Sequence, residues 1–510
     1  MKFVRKLFSR FFLSALLFLI QVLLLWIVLS VLDLQFWWVQ LIRTILSILV
    51  FLNMVYKKEA PEYKLPWIFI LMLFPLFGTV LFLLYAHPRM KPRDRKTLAA
   101  VDEGSHPYVA ERTPEELAAV STFLGHYRGV ESYLHAGGHL YGDLSTRTSY
   151  FPLGENYWAD LLPELEKAES FIFIEFFIIA PGKMWDAIYE ILRRKAEAGV
   201  EVRVLYDDIG SAPTTPLRFC RRLNHEGIKC LRFSPFRPFI TNIFNNRDHR
   251  KIVVIDGKVG YTGGVNIGDE YINQIERFGH WKDTGLKLEG PAVRNLTNLF
   301  LHAWDITAKS LSDYEKYLSV EVSPIPDAGY VHPFGDGPKP YYDEQVGKGN
   351  FLNLVGLATG YLWITTPYLI MDFSLTDALR NAAMRGVDVR IFTPHIPDKK
   401  TVFALTRSNY EFLMNAGVKI YEYTPGFLHA KMLLSDDKVA FVGTINLDYR
   451  SLTHHYECGA VIGKAPCLAD IKKDFEHLIE VSEEITPERA KKLRSHRPSR
   501  MLLHIFEPIF

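Results

Sequence analysis

The sequence predicts an α/β protein made of a duplicated domain, a mixed β-sheet flanked by helices in each half, preceded by N-terminal transmembrane helices. Three observations carry this. First, His249, Lys251, Asp256 and Asn266 recur as His429, Lys431, Asp436 and Asn446 with the same spacings. Second, the segments before each copy alternate strand and helix in the same order. Third, the first 96 residues hold three long apolar runs.

At 510 residues the chain exceeds one ordinary core, so two or three domains are expected. With 48% apolar residues it is not a disordered chain. A net charge of +2 supplies little electrostatic drive toward nucleic acid. Cys220, Cys230, Cys458 and Cys467 show no CxxC spacing, so they spell neither a zinc site nor a disulfide framework.

Residues 1–96 are read as a membrane-embedded segment of two to three hydrophobic helices. Phe11 to Val31 is long enough to span and follows Lys2, Arg5, Lys6 and Arg10. Leu34 to Val55 carries Arg43 near its middle, costly in lipid, which makes this second run the candidate for an interfacial or re-entrant segment. Pro66 to Tyr85 is a third run, with Pro75 and Gly78 inside it. Basic residues precede the first run and follow the third, so the charge pattern asks for an even number of crossings.

Residues 97–150 are polar, with scattered Gly and Pro, and read as a tether plus a first helix around Pro114 to Tyr127. The first half is expected over 151–320. Ser170 to Ile179 is apolar apart from Glu175 and its opening Ser, as in a strand buried on both faces. Trp185 to Ala198 is an amphipathic helix stopped by Gly199, and Val200 to Tyr206 is the next strand. The second half, 340–510, repeats the order with a strand from Tyr361, a helix to Arg385-Gly386 and a strand from Val387. Ala198 to Val204 and Arg385 to Ile391 are near copies, so whole half-domains are duplicated. A stretch rich in Ser, Pro, Gly and Asp, about 310–350, joins them.

His249 and Lys251 lie two apart on a strand, so both side chains point to one face, and His429 and Lys431 do the same. Folding the halves together brings two His, two Lys and two Asn into one cleft. That set suits a phosphodiester: one neutral His attacks phosphorus, and the other serves the leaving and entering oxygens as acid and base. Lys251, Lys431, Asn266 and Asn446 would bind the phosphate oxygens. No metal or other cofactor is expected, since these donors already surround the phosphate. Asp256 and Asp436 complete the catalytic motifs, but an Asp at a strand end is usually a turn residue, so they are expected to brace the loop. Asp283, downstream of the first motif, and Glu457, downstream of the second, are expected to orient the histidines.

The duplicated HxKxxxxD, with Gly263-Gly264-Val265-Asn266 or Gly443-Thr444-Ile445-Asn446 after it, resembles the phospholipase D superfamily. Leu65-Pro66-Trp67 through Gly78, Tyr206 to Ser211, Trp281-Lys282-Asp283, Thr366-Pro367-Tyr368 and Asn446 to Leu452 are similar to the pattern of bacterial cardiolipin synthases. Lys282 stands where Arg is common in that family. The resemblance implies a phospholipase D-like fold in each half and a multi-pass protein of the bacterial cell membrane. It implies two phosphatidylglycerol molecules giving cardiolipin and glycerol, with His249 as nucleophile and His429 as acid/base. Phosphatidylglycerol, cardiolipin and the bilayer are the expected partners, and nucleic acid is not. The competing readings are a lipid hydrolase, a synthase using phosphatidylethanolamine, a membrane-tethered nuclease and an inactive scaffold. Phe233, Phe236, Phe239, Ile240, Ile243 and Phe244 either wall the site against water or face the core as a loop, and the tail from Arg497 to Phe510 either lies on the membrane surface or docks as a terminal helix.

Overall fold

The computed structural model describes residues 19–20, 22–31, 37–58, 61–85, 92–108, 112–235, 246–493 and 503–509. By internal contacts the chain divides into two units. One comprises residues 1–90, 235–245 and 496–510, and the other residues 91–234 and 246–495.

In the smaller unit, Trp37–Tyr56 is the helix long and apolar enough to cross a membrane among the described residues. It leaves Leu41, Ile45, Leu49 and Leu52 exposed. This is the second apolar run, the one Arg43 marks as interfacial, so length and composition favour the opposite assignment. The third run is not one helix. It breaks into Pro61–Leu73 and Pro75–Tyr85, because Pro75 has no N–H to continue the ladder. Val50, Met54, Leu71 and Phe82 form the unit's small core, and Ser47 Oγ lies 3.1 Å from Thr79 Oγ1. Residues 11–18 and 21 of the first run, and the tail up to residue 502, lie outside the described residues. The described end of the tail places Phe506 edge-on to Phe69.

The larger unit is built on two sheets. The first half contributes β1 (Arg147–Phe151), β2 (Phe171–Phe176), β3 (Glu201–Asp207), β4 (Lys229–Phe233), β5 (Lys251–Ile255), β6 (Val259–Gly263), β7 (His280–Lys282) and β8 (Gly285–Glu289). The second contributes β9 (Tyr330–Asp336), β10 (Tyr361–Thr365), β11 (Leu369–Ile370), β12 (Asp388–Pro394), β13 (Lys419–Tyr423), β14 (Gly426–Leu428), β15 (Met432–Ser435), β16 (Val439–Gly443), β17 (Leu447–Asp448), β18 (Glu457–Gly463) and β19 (Ser482–Glu484).

The first sheet runs β1-β8-β6-β5-β2-β3-β4, and the second runs β9-β18-β16-β15-β10-β12-β13-β19. Strand for strand the orders match, with β19 added at an edge. In each, three neighbouring strands are parallel and the rest antiparallel, so both sheets are mixed. β2 is buried at every position, as its unbroken apolar run requires. Gly199 and Gly386 both close a helix at φ +93°, a conformation open to glycine, and so mark the same turn in the two copies.

Two boundaries differ from the sequence reading. β9 pairs with β18 along its whole length, so the second half begins at Tyr330 and not near 340. Residues 97–150 are no tether. Helices Pro92–Ser105, Pro114–Leu124 and Arg128–Gly138 bury Val101, Val120, Leu124, Val130 and Leu134, and β1 closes the first sheet. Thr113 caps the middle helix through a capping box with Glu116. The stretch reads as polar because these helices expose one face each.

Candidate functional site

Each motif begins where its half leaves its own sheet to touch the other. Asp248 bridges Tyr456, and the His249 N–H donates to the Tyr456 carbonyl at 2.8 Å. In the matching place β14 pairs with β7, and the His429 N–H donates to the Lys282 carbonyl at 2.7 Å. The residues that follow Tyr456 and Lys282 are Glu457 and Asp283. The backbone exchange therefore hands each histidine a carboxylate from the opposite half.

His249 Nδ1 lies 3.0 Å from both Glu457 carboxylate oxygens, and His429 Nδ1 lies 2.6 Å from Asp283 Oδ2. Both carboxylates are fully buried, and the histidines are 6% and 8% exposed. Burial pushes the His249 imidazole down to about 3 and the His429 imidazole to about 4, with the neighbouring lysine charges adding to it. Burial raises Glu457, but His249 and then His455 outweigh it and hold its carboxyl well below the usual range. The pair thus favours a neutral His249 whose Nδ1–H donates to an ionised Glu457, leaving Nε2 with a free lone pair.

Lys251 Nζ donates to the His249 carbonyl at 2.5 Å, and Lys431 Nζ donates to the His429 carbonyl and lies 2.8 Å from His429 Nδ1. Burial lowers Lys251 to about 8 and Lys431 to about 7. Each carboxylate counters this from across the site. The charge of Lys251 further depresses Lys431, so the two lysines share one electrostatic field. Asn266 is held by the Ile178 N–H, donated to its Oδ1 at 3.1 Å, and donates in turn to the Tyr271 hydroxyl at 2.9 Å. Asn446 Oδ1 is buried with no hydrogen-bond partner among the described residues.

Asp256 and Asp436 sit just beyond the far ends of β5 and β15 from the histidines. Asp256 accepts the N–H groups of Glu169, Ser170 and Phe171 at 2.7–2.8 Å. Asp436 accepts those of Thr359, Gly360 and Tyr361, each at 2.8 Å, and the Tyr127 hydroxyl at 2.9 Å. Both pin the start of the neighbouring strand of their own half.

Lys282 donates to Asp474 at 2.7 and 2.8 Å, and the Tyr150 hydroxyl donates to the same carboxylate. This buried network ties β7, next to Asp283, to the helix Leu468–Val481 of the other half. Asp474→Ala strands the Lys282 ammonium in the interior, and a loss of about 3–5 kcal/mol is expected, read as a fall in unfolding midpoint. Gly264 fits closely against Asp283: a Cβ there would lie 2.0 Å from its Oδ1. Gly264→Ala is expected to displace Asp283 and reduce turnover by about 100-fold or more, with far-UV circular dichroism unchanged. At the matching position Thr444 donates its hydroxyl to Glu457.

Several neighbours of the site escape a motif reading. Phe177 stands 5.0 Å, ring to ring, from His249 and 5.5 Å from Lys251 Nζ. Tyr271, Trp281 and Phe427 surround His429 at 5.5–5.8 Å. His455 lies 5.6 Å from His249. Its position two residues before Glu457 is the signal that would have found it. Of the expected aromatic wall, Phe233 packs in the core against Tyr456, and residues 236–244 lie outside the described residues.

A family model described as "Cardiolipin synthase, PLD-like domain" matches residues 161–304 and 351–479. An uncharacterized protein of Streptococcus mutans is 44% identical over 84% of this chain and 92% of its own length. Cardiolipin synthase of Alkalihalophilus pseudofirmus is 33% identical over 89% of this chain and 90% of its own. Cardiolipin synthase of a Geobacillus strain is 35% identical over 88% and 91%. Among solved structures, the phosphatidylserine synthase of Haemophilus influenzae superposes with a TM-score of 0.58 at 15% identity, covering 76% of this chain and all of that one. That last likeness concerns the fold.

Proposed function

The chain belongs to the cardiolipin synthase family with phospholipase D-like domains, and from that premise we propose that it transfers a phosphatidyl group between two phosphatidylglycerol molecules, giving cardiolipin and glycerol. The observation that carries the reading is the pair of buried histidines, each held through Nδ1 by a carboxylate of the opposite half.

His249 Nε2 attacks phosphorus and forms the P–N bond of a phosphohistidine while the bond to the leaving glycerol oxygen breaks. His429 gives that oxygen its proton. It then takes the proton of a hydroxyl on the second lipid, whose oxygen attacks phosphorus and releases His249. His429 reaches its protonated form as the anionic phosphate enters, since a nearby negative charge raises an imidazole. Lys251, Lys431, Asn266 and Asn446 donate to the non-bridging oxygens and to the charge of the transition state. The low exposure of both histidines supports transfer to an alcohol over hydrolysis. The apolar N-terminal unit supports a seat in the bacterial cell membrane, with multi-pass insertion as part of the proposal. Labelling of cysteines introduced on either side of Trp37–Tyr56 tests it.

The reaction is tested in detergent micelles with phosphatidylglycerol alone. Cardiolipin and free glycerol are expected. Phosphatidic acid as sole product means a hydrolase, and release of ethanolamine from added phosphatidylethanolamine means a different donor. Loss of lipid turnover alongside cleavage of DNA or RNA would make it a nuclease.

A pH profile follows from the lysines. Their charged forms bind phosphate and are lost as pH rises through about 7 for Lys431 and about 8 for Lys251. kcat/KM is therefore expected to fall on the alkaline side of this window. An acid limb from the free enzyme's His249 lies near 3, below the working range.

A further inference from the structure

We propose that His249, His455 and Glu457 form a binding site for a divalent d-block cation of the Zn2+ class, and that a cation held there silences His249. Each of the three residues offers one ligand atom, and these atoms lie within 4.8 Å of one another. His249 Nδ1 is 3.0 Å from the Glu457 carboxylate, and His455 Nδ1 is 3.6 Å from it. The carboxylate thus sits between two imidazole nitrogens, and small shifts bring all three to the spacing of a tetrahedral zinc shell. His455 is buried, and neither of its ring nitrogens has a hydrogen-bond partner among the described residues. A buried imidazole whose one polar neighbour, the Glu457 carboxylate at 3.6 Å, stands beyond hydrogen-bond length is costly, and a cation between them would satisfy it.

The other half shows that this is no requirement of the fold. Trp281, two residues before Asp283, holds the place of His455 and packs its ring 5.5 Å from His429. There the carboxylate has a single imidazole beside it. The duplication therefore offers a built comparison, in which matching sequence positions carry an apolar ring in one half and a ligating ring in the other. Two nitrogens and one carboxylate oxygen suit Zn2+, Co2+ or Ni2+, whereas Mg2+ and Ca2+ prefer an all-oxygen shell.

The consequence is a tautomer change, and it rests on the reading that His249 attacks through Nε2. A cation at Nδ1 needs the lone pair there, so the proton of the neutral ring moves to Nε2. The attacking nitrogen then carries hydrogen, and Glu457 faces the cation instead of the ring. No oxidant and no net proton change is involved.

The test uses the full chain in detergent and chelator-free buffer. Equilibrium dialysis against Zn2+, without lipid, should give one tight equivalent. Cardiolipin formation should be lost as that equivalent fills, return with EDTA, and be indifferent to Mg2+. His455→Phe and His455→Asn should each raise the Zn2+ concentration needed for binding and for inhibition by at least about 10-fold. The site is overturned if both variants bind Zn2+ as tightly as the unaltered chain, or if the unaltered chain turns over normally with its equivalent bound. If no lipid is turned over at all, the proposed reaction fails, and dialysis still decides the site.

Discussion

Glu457→Gln lowers kcat by about 1,000- to 10,000-fold, with KM little changed, when cardiolipin formation is followed in micelles. Gln keeps the size of the side chain but offers Nδ1 of His249 either a neutral oxygen or an N–H. The ring is then free to take the wrong tautomer, and the imidazolium character that develops during attack loses its counter-charge. Removing such a carboxylate from a catalytic histidine has an effect of this size in a serine hydrolase. Asp283→Asn is expected to do the same to His429, to which Asp283 holds the shorter contact of 2.6 Å. The informative feature is direction. A substitution in the second half disables the histidine of the first, and the converse, because the contacts cross. A result in which Glu457→Gln acts only through loss of folding, seen as a lowered unfolding midpoint with normal initial rates, would remove Glu457 from the chemistry.

His249→Ala and His429→Ala each abolish turnover, by about 10,000-fold or more, yet they leave different products behind. With His249 as nucleophile, His429→Ala takes up the phosphatidyl group slowly, for want of an acid at the leaving oxygen, and releases it slowly too, since no base activates the second hydroxyl, so over long incubation the modified chain accumulates. Intact-mass spectrometry after incubation with phosphatidylglycerol should then show the chain heavier by one phosphatidyl group in His429→Ala, and unmodified chain in His249→Ala. The reverse pattern would exchange the two roles. Normal rates in either variant would defeat the two-histidine mechanism altogether.

Much of this arrangement was legible in the residues. A period-two strand puts His249 with Lys251, and His429 with Lys431, on one face, and matched spacings expose the duplication before any coordinates. β2 announced its burial by its apolar run. What the sequence withheld is whatever depends on contacts between distant segments. Asp283 and Glu457 could be picked out as carboxylates downstream of the motifs, but the exchange between halves is made by β7 with β14 and by Asp248 with Tyr456. Nothing local encodes those pairings. Residues 97–150 misled because three short amphipathic helices, each with one buried face, average to a polar composition. The third apolar run misled in the other direction: hydropathy is blind to the missing N–H of Pro75, which divides it. His455 went unnoticed because a His beside another His carries no motif, although its spacing from Glu457 was in plain view.

Synthesis runs from the first half to the second, and the crossed contacts make the two histidines wait differently for their carboxylates. Glu457 stands 208 residues after His249, and His429 stands 146 residues after Asp283. A nascent or truncated chain that has threaded its apolar segment into a bilayer carries a first histidine with no carboxylate to aim it. His249 therefore gains its carboxylate only when β18 folds, whereas Asp283 is already in place when His429 is made.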